Sequence, residues 1–280
     1  MDLGQTATGH SPASRRNGTR ATASKQLVRV AGRRISVSRS GTGPPLLLLN
    51  GMGRAPATWS PLQQHLEGFE CIRIGMPGCP DTVGRPPVLT MQGFSALVIA
   101  VLHEIGIERA DVLGYSFGGL VAQQLALDAP ARVRRLVLVS TSCGLGATPS
   151  SPAAWWSAML DDAPPLSYGP LWFTHQWNIT MRRQFGPNWV NRLWPNEFVQ
   201  QFVAASRWSS LGWLARLPQP TLVVRGTADA LVPPENATVL SSRIPRAQLY
   251  RVHGGGHLCV LDRAAEVGPV IAGFLRASES

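Results

Sequence analysis

The chain has 280 residues, of which 44% are hydrophobic and 15% charged, so it can bury a large core and is not a disordered polymer. This length suits one large α/β domain or a core with an insertion. The net charge of +10 is concentrated in residues 1–40, where eight Lys and Arg residues and one acid give +7. Because no basic patch interleaved with aromatic residues follows, nucleic acid is disfavoured as a partner.

Two further classes of protein, membrane-spanning proteins and proteins built on disulfides or metal sites, are disfavoured by features that the sequence lacks. No run of 18 apolar residues occurs, which argues against a membrane-spanning helix. The cysteines lack the close pairs of zinc or redox sites and are too few for a disulfide framework, so reduced thiols are expected. No cofactor or metal motif is present, and we expect neither group. The four cysteines are Cys71, Cys79, Cys143 and Cys259.

Residues 1–24 are rich in Ser, Thr, Gly, Ala and Arg and contain almost no large apolar side chains. Such a segment cannot bury enough surface to offset its ordering entropy, which predicts a disordered basic tail. An organelle-targeting sequence is the alternative interpretation of this segment. The segment lacks the apolar stretch of a signal peptide, so a cytoplasmic location is expected.

Strands alternate with helices from Gln26 onward, which predicts an α/β fold with a mostly parallel eight-stranded sheet and helices on both faces. The first two strands resemble a hairpin around Ala31 and Gly32, and Leu46–Leu49 is a continuous apolar run typical of a fully buried strand. We expect residues 25–143 and 218–280 to form this α/β core of the protein. The predicted strands are Leu27–Val30, Ile35–Ser38, Leu46–Leu49, Cys71–Ile74, Asp111–Leu113, Val133–Val139, Thr221–Arg225 and Gln248–Val252. The predicted helices are Met91–Ile105, Phe117–Leu127, 234–243 and 264–276.

Residues 144–217 interrupt this alternation and contain eight of the nine tryptophans. An insertion of this kind after a sheet strand predicts a helical cap. The rings either form the small core of the cap or line an apolar pocket beneath it, and the two interpretations are compatible. The tryptophans are Trp155, Trp156, Trp172, Trp177, Trp189, Trp194, Trp208 and Trp213.

Residues Gly114–Gly118 match the pattern G-x-S-x-G between a predicted strand and a predicted helix. In that context the pattern predicts a nucleophile elbow, a tight turn that exposes the hydroxyl of Ser116. The glycines allow backbones to approach where a β-carbon would clash. The start of the helix directs free N–H groups toward a developing negative charge.

A serine hydroxyl needs a base to take its proton and a third group to orient that base. Two histidines follow the last strand, and His257 is preferred because it lies further out in the glycine loop, with His253 as the alternative. Asp229 follows the strand Thr221–Arg225 and a glycine turn, which gives the chain order Ser, Asp, His. An ordinary turn-forming role is the alternative for Asp229.

An oxyanion hole requires two preorganised donors. We assign them to the backbone N–H of Phe117, which follows the serine, and of Met52, in the loop after Leu46–Leu49. The glycines that flank Met52 allow a close approach, although an ordinary glycine turn would also use them. Asn50, Tyr115 and some of the insertion's tryptophans are predicted to contact substrate.

With these motifs, residues 26–277 resemble the α/β-hydrolase superfamily, and more narrowly its intracellular medium-chain poly(3-hydroxyalkanoate) depolymerases. That family hydrolyses esters of stored 3-hydroxyacyl chains with a serine triad. One departure is the loop Gly75–Pro80, which lacks the aspartate and second glycine usual there and implies a differently shaped pocket wall. The similar stretches are Leu49–Gly53, Met76–Gly78, Gly114–Gly119, Leu217–Leu222 and Arg243–Leu249.

The predicted function is hydrolysis of a carboxylic ester with an apolar acyl group, from a small or polymeric substrate, through an acyl-enzyme on Ser116, Asp229 and His257. Carbon–carbon bond hydrolysis, perhydrolysis and acyl transfer with the same three residues are alternatives. A non-catalytic scaffold that binds a hydrophobic ligand is the competing class. The oligomeric state stays open.

Overall fold

The structure is a computed structural model that describes residues 24–54, 56–77, 82–84, 88, 90–150 and 195–278. Apart from Ser24, which lies in the first strand, the predicted tail lies outside the described residues. The same holds for residues 151–194, with the six tryptophans from Trp155 to Trp194. The expectations for these two segments stay predictions.

One sheet organises the described chain, in the order β1-β2-β4-β3-β6-β7-β8-β9, with the short β5 paired to β2. The six strands from β4 to β9 in that order are parallel, and β1, β2 and β5 add antiparallel pairs at one edge. The predicted fold and its eight strands are therefore confirmed, and β5 is an additional two-residue strand. The strands are β1 (Ser24–Val30), β2 (Arg33–Ser40), β3 (Pro45–Leu49), β4 (Glu70–Ile74), β5 (Val83–Gly84), β6 (Ala110–Tyr115), β7 (Val133–Val139), β8 (Thr221–Gly226) and β9 (Ala247–Val252).

Seven α-helices are found in the described residues, and the four predicted ones are confirmed to within a few residues. None of these helices is long and apolar enough to cross a membrane. A further helix, α4, lies in the segment where a helical cap was predicted. The helices are α1 (Ser60–Gln63), α2 (Met91–Glu104), α3 (Phe117–Asp128), α4 (Pro195–Ser206), α5 (Glu235–Arg243), α6 (Cys259–Asp262) and α7 (Ala264–Arg276).

The core lies on both faces of the sheet, which explains why a central strand such as β3 is a continuous apolar run. Along β3, Leu47 and Leu49 contribute to the core cluster that contains the apolar side chains of α2 and α3. Leu46 and Leu48 point the other way, into the cluster that contains the apolar side chains of α6 and α7. The sheet is thereby held rigidly between two layers of helices, and its strand ends provide fixed positions for the loops.

The two ends of the predicted insertion are hydrogen-bonded to each other close to the end of β7. Leu145 N–H donates to the Trp208 carbonyl at 2.8 Å, and Ser210 N–H donates to the Cys143 carbonyl at 2.9 Å. The side chain of Gln124 in α3 accepts from the Trp208 indole N–H at 2.6 Å. The chain therefore leaves the core and returns to it at one place, as an insertion does.

Trp208 and Trp213 are the insertion tryptophans that the structure describes. Their rings contact each other edge to face, with centroids 5.7 Å apart. Trp208 is buried and Trp213 is partly buried, and both pack against the core cluster of α2 and α3. These two rings therefore belong to the main core beside the sheet rather than to a separate small core of the insertion.

Candidate active site

Three polar side chains meet where parallel strands of the sheet end. Ser116 follows β6, Asp229 lies in the loop after β8, and His257 lies in the loop after β9. His257 Nε2 is 3.1 Å from Ser116 Oγ, and His257 Nδ1 is 2.9 Å from Asp229 Oδ2. Since carboxyl ends of parallel strands share one edge of the sheet, residues far apart in the sequence come together there.

The turn at Ser116 is strained, with φ +54° and ψ −118°, a conformation that a non-glycine residue adopts only when its surroundings enforce it. A β-carbon on Gly114 would lie 2.4 Å from the Gly118 carbonyl oxygen, and one on Gly118 would lie 2.1 Å from that of Leu49. The Thr141 hydroxyl donates to the Ser116 carbonyl at 2.8 Å. The glycines of the pattern are thus required by backbone contact, which fixes the serine at the start of α3.

The carboxylate of Asp229 is buried and accepts three hydrogen bonds. Its Oδ1 accepts from the backbone N–H of Leu231 at 3.0 Å and of Val232 at 2.8 Å, while Oδ2 faces His257. Because an ionised carboxylate only accepts, His257 Nδ1 carries the proton, and Nε2 is left to accept from the Ser116 hydroxyl. This orientation suits a base that activates a serine.

The loops that carry Asp229 and His257 are joined by backbone contacts. Ala228 N–H donates to the Gly255 carbonyl at 2.9 Å. A β-carbon on Gly226 would lie 2.2 Å from that same carbonyl oxygen, so the approach depends on glycine. His253, the alternative base, is exposed on the outer part of the loop, whereas His257 is buried against Asp229.

The two residues whose amides are assigned to an oxyanion hole lie in segments that adjoin Ser116, Phe117 in the sequence and the Met52 loop in space. Phe117 is the first residue of α3, so its N–H has no acceptor within the helix. A β-carbon on Gly51 would lie 3.4 Å from the β-carbon of Ser116, so the loop that carries Met52 passes beside the serine. The buried Phe117 ring packs on Phe94 with centroids 5.2 Å apart, which holds its backbone in place.

Two predicted substrate contacts are not supported by the structure. Tyr115 is 2% exposed, and its ring belongs to the core cluster that contains α6 and α7. There it packs against Trp59 and the His257 ring, with centroids 6.3 and 5.2 Å away. In a strand, consecutive side chains face opposite sides, so the residue before the serine points into the core. Asn50 is also buried, at 3% exposure.

Two side chains near this edge were not identified from the sequence. Thr141, which follows β7, supports the Ser116 carbonyl as described above. Gln201 in α4 is buried and binds the backbone of Gly53 and Pro77. The position of Thr141 two residues after a sheet strand is a usable signal, but no pattern in the sequence marks Gln201.

The reactive groups of the candidate site are the side chains of Ser116, His257 and Asp229. In the described ranges, no group of three His, Cys, Asp or Glu side chains is placed to hold a metal ion. Asp229 and His257 are hydrogen-bonded to each other, and His257 to Ser116. The site can supply a nucleophile, a general base and an orienting carboxylate.

Comparison with known proteins identifies the family to which this site and fold belong. The family described as having the alpha/beta hydrolase fold matches residues 44–264. The chain belongs to this family. The match extends from the strand before the Met52 loop to the start of α7, so it includes Ser116, Asp229 and His257. The predicted family membership is confirmed.

Individual relatives show how widely this family's activities extend. The chain is 30% identical over 250 residues to a poly(3-hydroxyalkanoate) depolymerase of Ectopseudomonas oleovorans, covering 83% of this chain and 84% of the relative. It is 28% identical over 277 residues to a 2-hydroxymuconate semialdehyde hydrolase of Pseudomonas sp. (strain CF600), covering 89% and 93%. A solved structure of a hydrolase from Pseudomonas aeruginosa has a TM-score of 0.73 and 24% identity over 91% of this chain and 98% of its own, and supports the fold.

Proposed function

We propose that the protein is a serine hydrolase that cleaves a carboxylic ester of an apolar acyl group through an acyl-enzyme. The observation that supports this most directly is the continuous hydrogen-bonded series from Ser116 through His257 to Asp229, with distances of 3.1 and 2.9 Å. Such a series is what a serine needs to become a nucleophile at neutral pH.

In the proposed reaction, Ser116 Oγ attacks the acyl carbonyl while His257 Nε2 takes the hydroxyl proton. Asp229 stabilises the imidazolium through Nδ1–H. The N–H groups of Phe117 and Met52 bind the oxyanion of the tetrahedral intermediate. His257 then returns the proton to the leaving alcohol, and water, activated by the same base, releases the acyl group from the serine.

The substrate class rests on similarity and composition. The relative from Ectopseudomonas oleovorans is named for a polyester with 3-hydroxyalkanoate units, and residues 144–217 are rich in tryptophan. We propose that this segment forms a cap above Ser116 that favours apolar acyl chains of a small or polymeric ester. A cytoplasmic location is part of the proposal, on the basis of the resemblance to intracellular depolymerases.

Carbon–carbon bond hydrolysis with the same three residues is the second candidate. It is favoured by the 28% identity to a relative that hydrolyses 2-hydroxymuconate semialdehyde, a compound whose name denotes no ester. Perhydrolysis and acyl transfer would use the same acyl-enzyme with another acceptor. A scaffold that only binds a ligand is less favoured, because it has no need for a hydrogen-bonded Ser, His and Asp.

The test is hydrolysis of p-nitrophenyl esters from acetate to dodecanoate by the wild type and by Ser116→Ala. Loss of the nucleophile should reduce kcat by about 10⁴-fold or more while the melting temperature stays close to that of the wild type. Ser242→Ala is the matched control, since Ser242 is an exposed serine of α5 whose hydroxyl donates to the Val239 carbonyl of its own helix.

The outcomes separate the candidates. A Ser116-dependent optimum at medium or long acyl chains supports the proposal and directs the next assay to polyester granules. Wild-type-like activity in Ser116→Ala contradicts it. No ester hydrolysis, combined with Ser116-dependent turnover of 2-hydroxymuconate semialdehyde, would favour the second candidate.

A further inference from the structure

Gln201 in α4 joins two loops at the carboxyl edge of the sheet. Its side chain is 1% exposed. Its Oε1 accepts from the Gly53 N–H at 2.9 Å, and its Nε2 donates to the Pro77 carbonyl at 2.5 Å. Gly53 belongs to the loop after β3, and Pro77 belongs to the loop after β4. A buried amide that uses both its donor and its acceptor in this way is a specific connection rather than general packing.

The loop after β3 is the one that carries the Met52 amide. The Gly53 N–H lies in the peptide plane that follows Met52, while the Met52 N–H lies in the plane that precedes it. Since each peptide is planar, fixing the second plane restricts the rotation that relates the two. Gly51 is held by its close approach to the Tyr115 ring, so Gln201 supplies a constraint on the other side of Met52.

The neighbouring side chain offers a natural comparison. Gln200 Oε1 accepts from the Val88 N–H at 3.1 Å. That contact also joins α4 to the core, but it does not involve the loop beside Ser116. If the role of Gln201 were only to attach α4 to the core, loss of either glutamine should have the same kind of effect.

We propose that Gln201 is a positioning residue, which fixes the Met52 amide at the place where an oxyanion develops. The inference rests on the proposed function, because it requires the Met52 amide to act as an oxyanion donor. It adds that α4, at the end of the inserted segment, determines the geometry of the catalytic loop. A change in the position of α4 would then alter the rate of the chemical step and not only the fit of the substrate.

The experiment compares Gln201→Met with Gln200→Met in the full chain. Methionine keeps the length of the side chain but removes both hydrogen bonds. For Gln201→Met we expect kcat on p-nitrophenyl esters to fall by about 10- to 100-fold with KM within about twofold, because an oxyanion donor acts in the transition state and small displacements are costly. For Gln200→Met we expect kcat close to that of the wild type.

A second readout is the rate of inactivation by p-nitrophenyl diethyl phosphate, whose phosphoryl oxygen would occupy the oxyanion hole. We expect Gln201→Met to be inactivated more slowly by a similar factor, and Gln200→Met at the wild-type rate. Melting temperatures show whether each variant is folded. If Gln201→Met does not fold, Gln201→Glu, which keeps the acceptor for the Gly53 N–H but loses the donor to the Pro77 carbonyl, should show kcat lowered by up to about 10-fold with unchanged KM.

Three results would overturn the inference alone. The first is an unchanged kcat and inactivation rate in folded Gln201→Met, and the second is an equal loss of kcat in Gln201→Met and Gln200→Met. The third is a raised KM at constant kcat in either Gln201 variant. In each of these cases the wild type still hydrolyses esters and is inactivated at Ser116. If the wild type showed neither ester hydrolysis nor inactivation at Ser116, the proposed function would be contradicted, and with it the proposed role of Gln201.

Discussion

At the scale of single residues, Asp229 shows how the fold prepares a side chain for its proposed role. Both carboxylate oxygens accept hydrogen bonds: Oδ1 accepts from two backbone N–H groups, and Oδ2 accepts from the imidazole of His257. The two backbone donors prevent the carboxylate from rotating. The direction of its bond to His257, and with it the direction of Nε2 toward Ser116, is therefore set by the main chain.

Asp229→Asn should separate this electrostatic role from a structural one. An amide can present only one acceptor oxygen, so either the backbone contacts or the correct tautomer of His257 is lost. We expect kcat on p-nitrophenyl esters to fall by about 10⁴-fold with little change in the fold. Steady-state kinetics and circular dichroism would measure both.

The control for that variant is Glu235→Gln, which changes an acid at the start of α5, outside the hydrogen-bonded series. It should keep the wild-type kcat. Substantial activity in Asp229→Asn, within about tenfold of the wild type, would show that Asp229 does not orient the base and would revive its interpretation as an ordinary turn residue.

Whether the role of a residue could be predicted from the sequence depends on whether the residues beside it in the chain form a recognisable motif. Ser116 has the flanking glycines, and Asp229 and His257 each follow a predicted strand, so the structure brings together three residues chosen from the sequence. Tyr115 shows the limit, since a position beside the serine does not show which way a side chain points. Gln201 could not be found, because its partners Gly53 and Pro77 are 148 and 124 residues away in the chain.

At the scale of elements, the site depends on close backbone contacts between consecutive loops. The loops after β8 and β9 are in contact through Gly226 and the Gly255 carbonyl, and α3 contacts the end of β3 through Gly118. Glycine makes these contacts possible because it has no β-carbon. The distance between Asp229 and His257 is thus determined by the approach of two strand ends.

Gly226→Ala should consequently damage both stability and activity. The new β-carbon would lie 2.2 Å from a backbone oxygen that cannot rotate away, so the two loops must separate. We expect a loss of at least about 2 kcal/mol in the free energy of unfolding and a large fall in kcat. Denaturant titration and ester hydrolysis would measure the two effects.

Gly273→Ala is the matched control, since a β-carbon there meets nothing within 4 Å and the residue lies inside α7. This variant should gain about 0.5–1 kcal/mol, because alanine loses less conformational entropy in a helix than glycine does. If Gly226→Ala were as stable and active as the wild type, the close contact of the two loops would not be what holds Asp229 beside His257.

The elements that were predicted from the sequence show a clear pattern of apolar residues, and the elements that were missed are short. The strand β3 is a continuous apolar run, β7 ends in the apolar run Leu136–Val139, and α2 has apolar residues at helical spacing over 14 residues. α1 and α6 have four residues each, which is about one turn, and β5 has two. One turn or one pair of residues has no period to detect, and such elements form because tertiary contacts hold them.

At the scale of the whole molecule, the sheet divides the core into two clusters, and the described cysteines lie in both. Cys71 and Cys259 belong to the cluster that contains α7, and Cys143 belongs to the one that contains α2 and α3. Burial raises the pKa of the Cys259 thiol to about 12 and that of Cys71 to about 11, and it also raises the pKa of Cys143. Because the thiolate is the reactive form, these thiols should be inert in the folded protein.

Thiol alkylation can therefore report whether the two clusters unfold as one unit. With iodoacetamide at pH 8, we expect Cys71, Cys143 and Cys259 to stay unmodified in the native protein and to become labelled together, at one guanidinium chloride concentration, as mass spectrometry of the peptides would show. The physical reason is that both clusters share the strands of a single sheet, so exposing one face removes the support of the other. Labelling of Cys259 well before Cys71 would mean that the His257 loop opens by itself, and the rigid positioning of the base would then have to come from bound substrate.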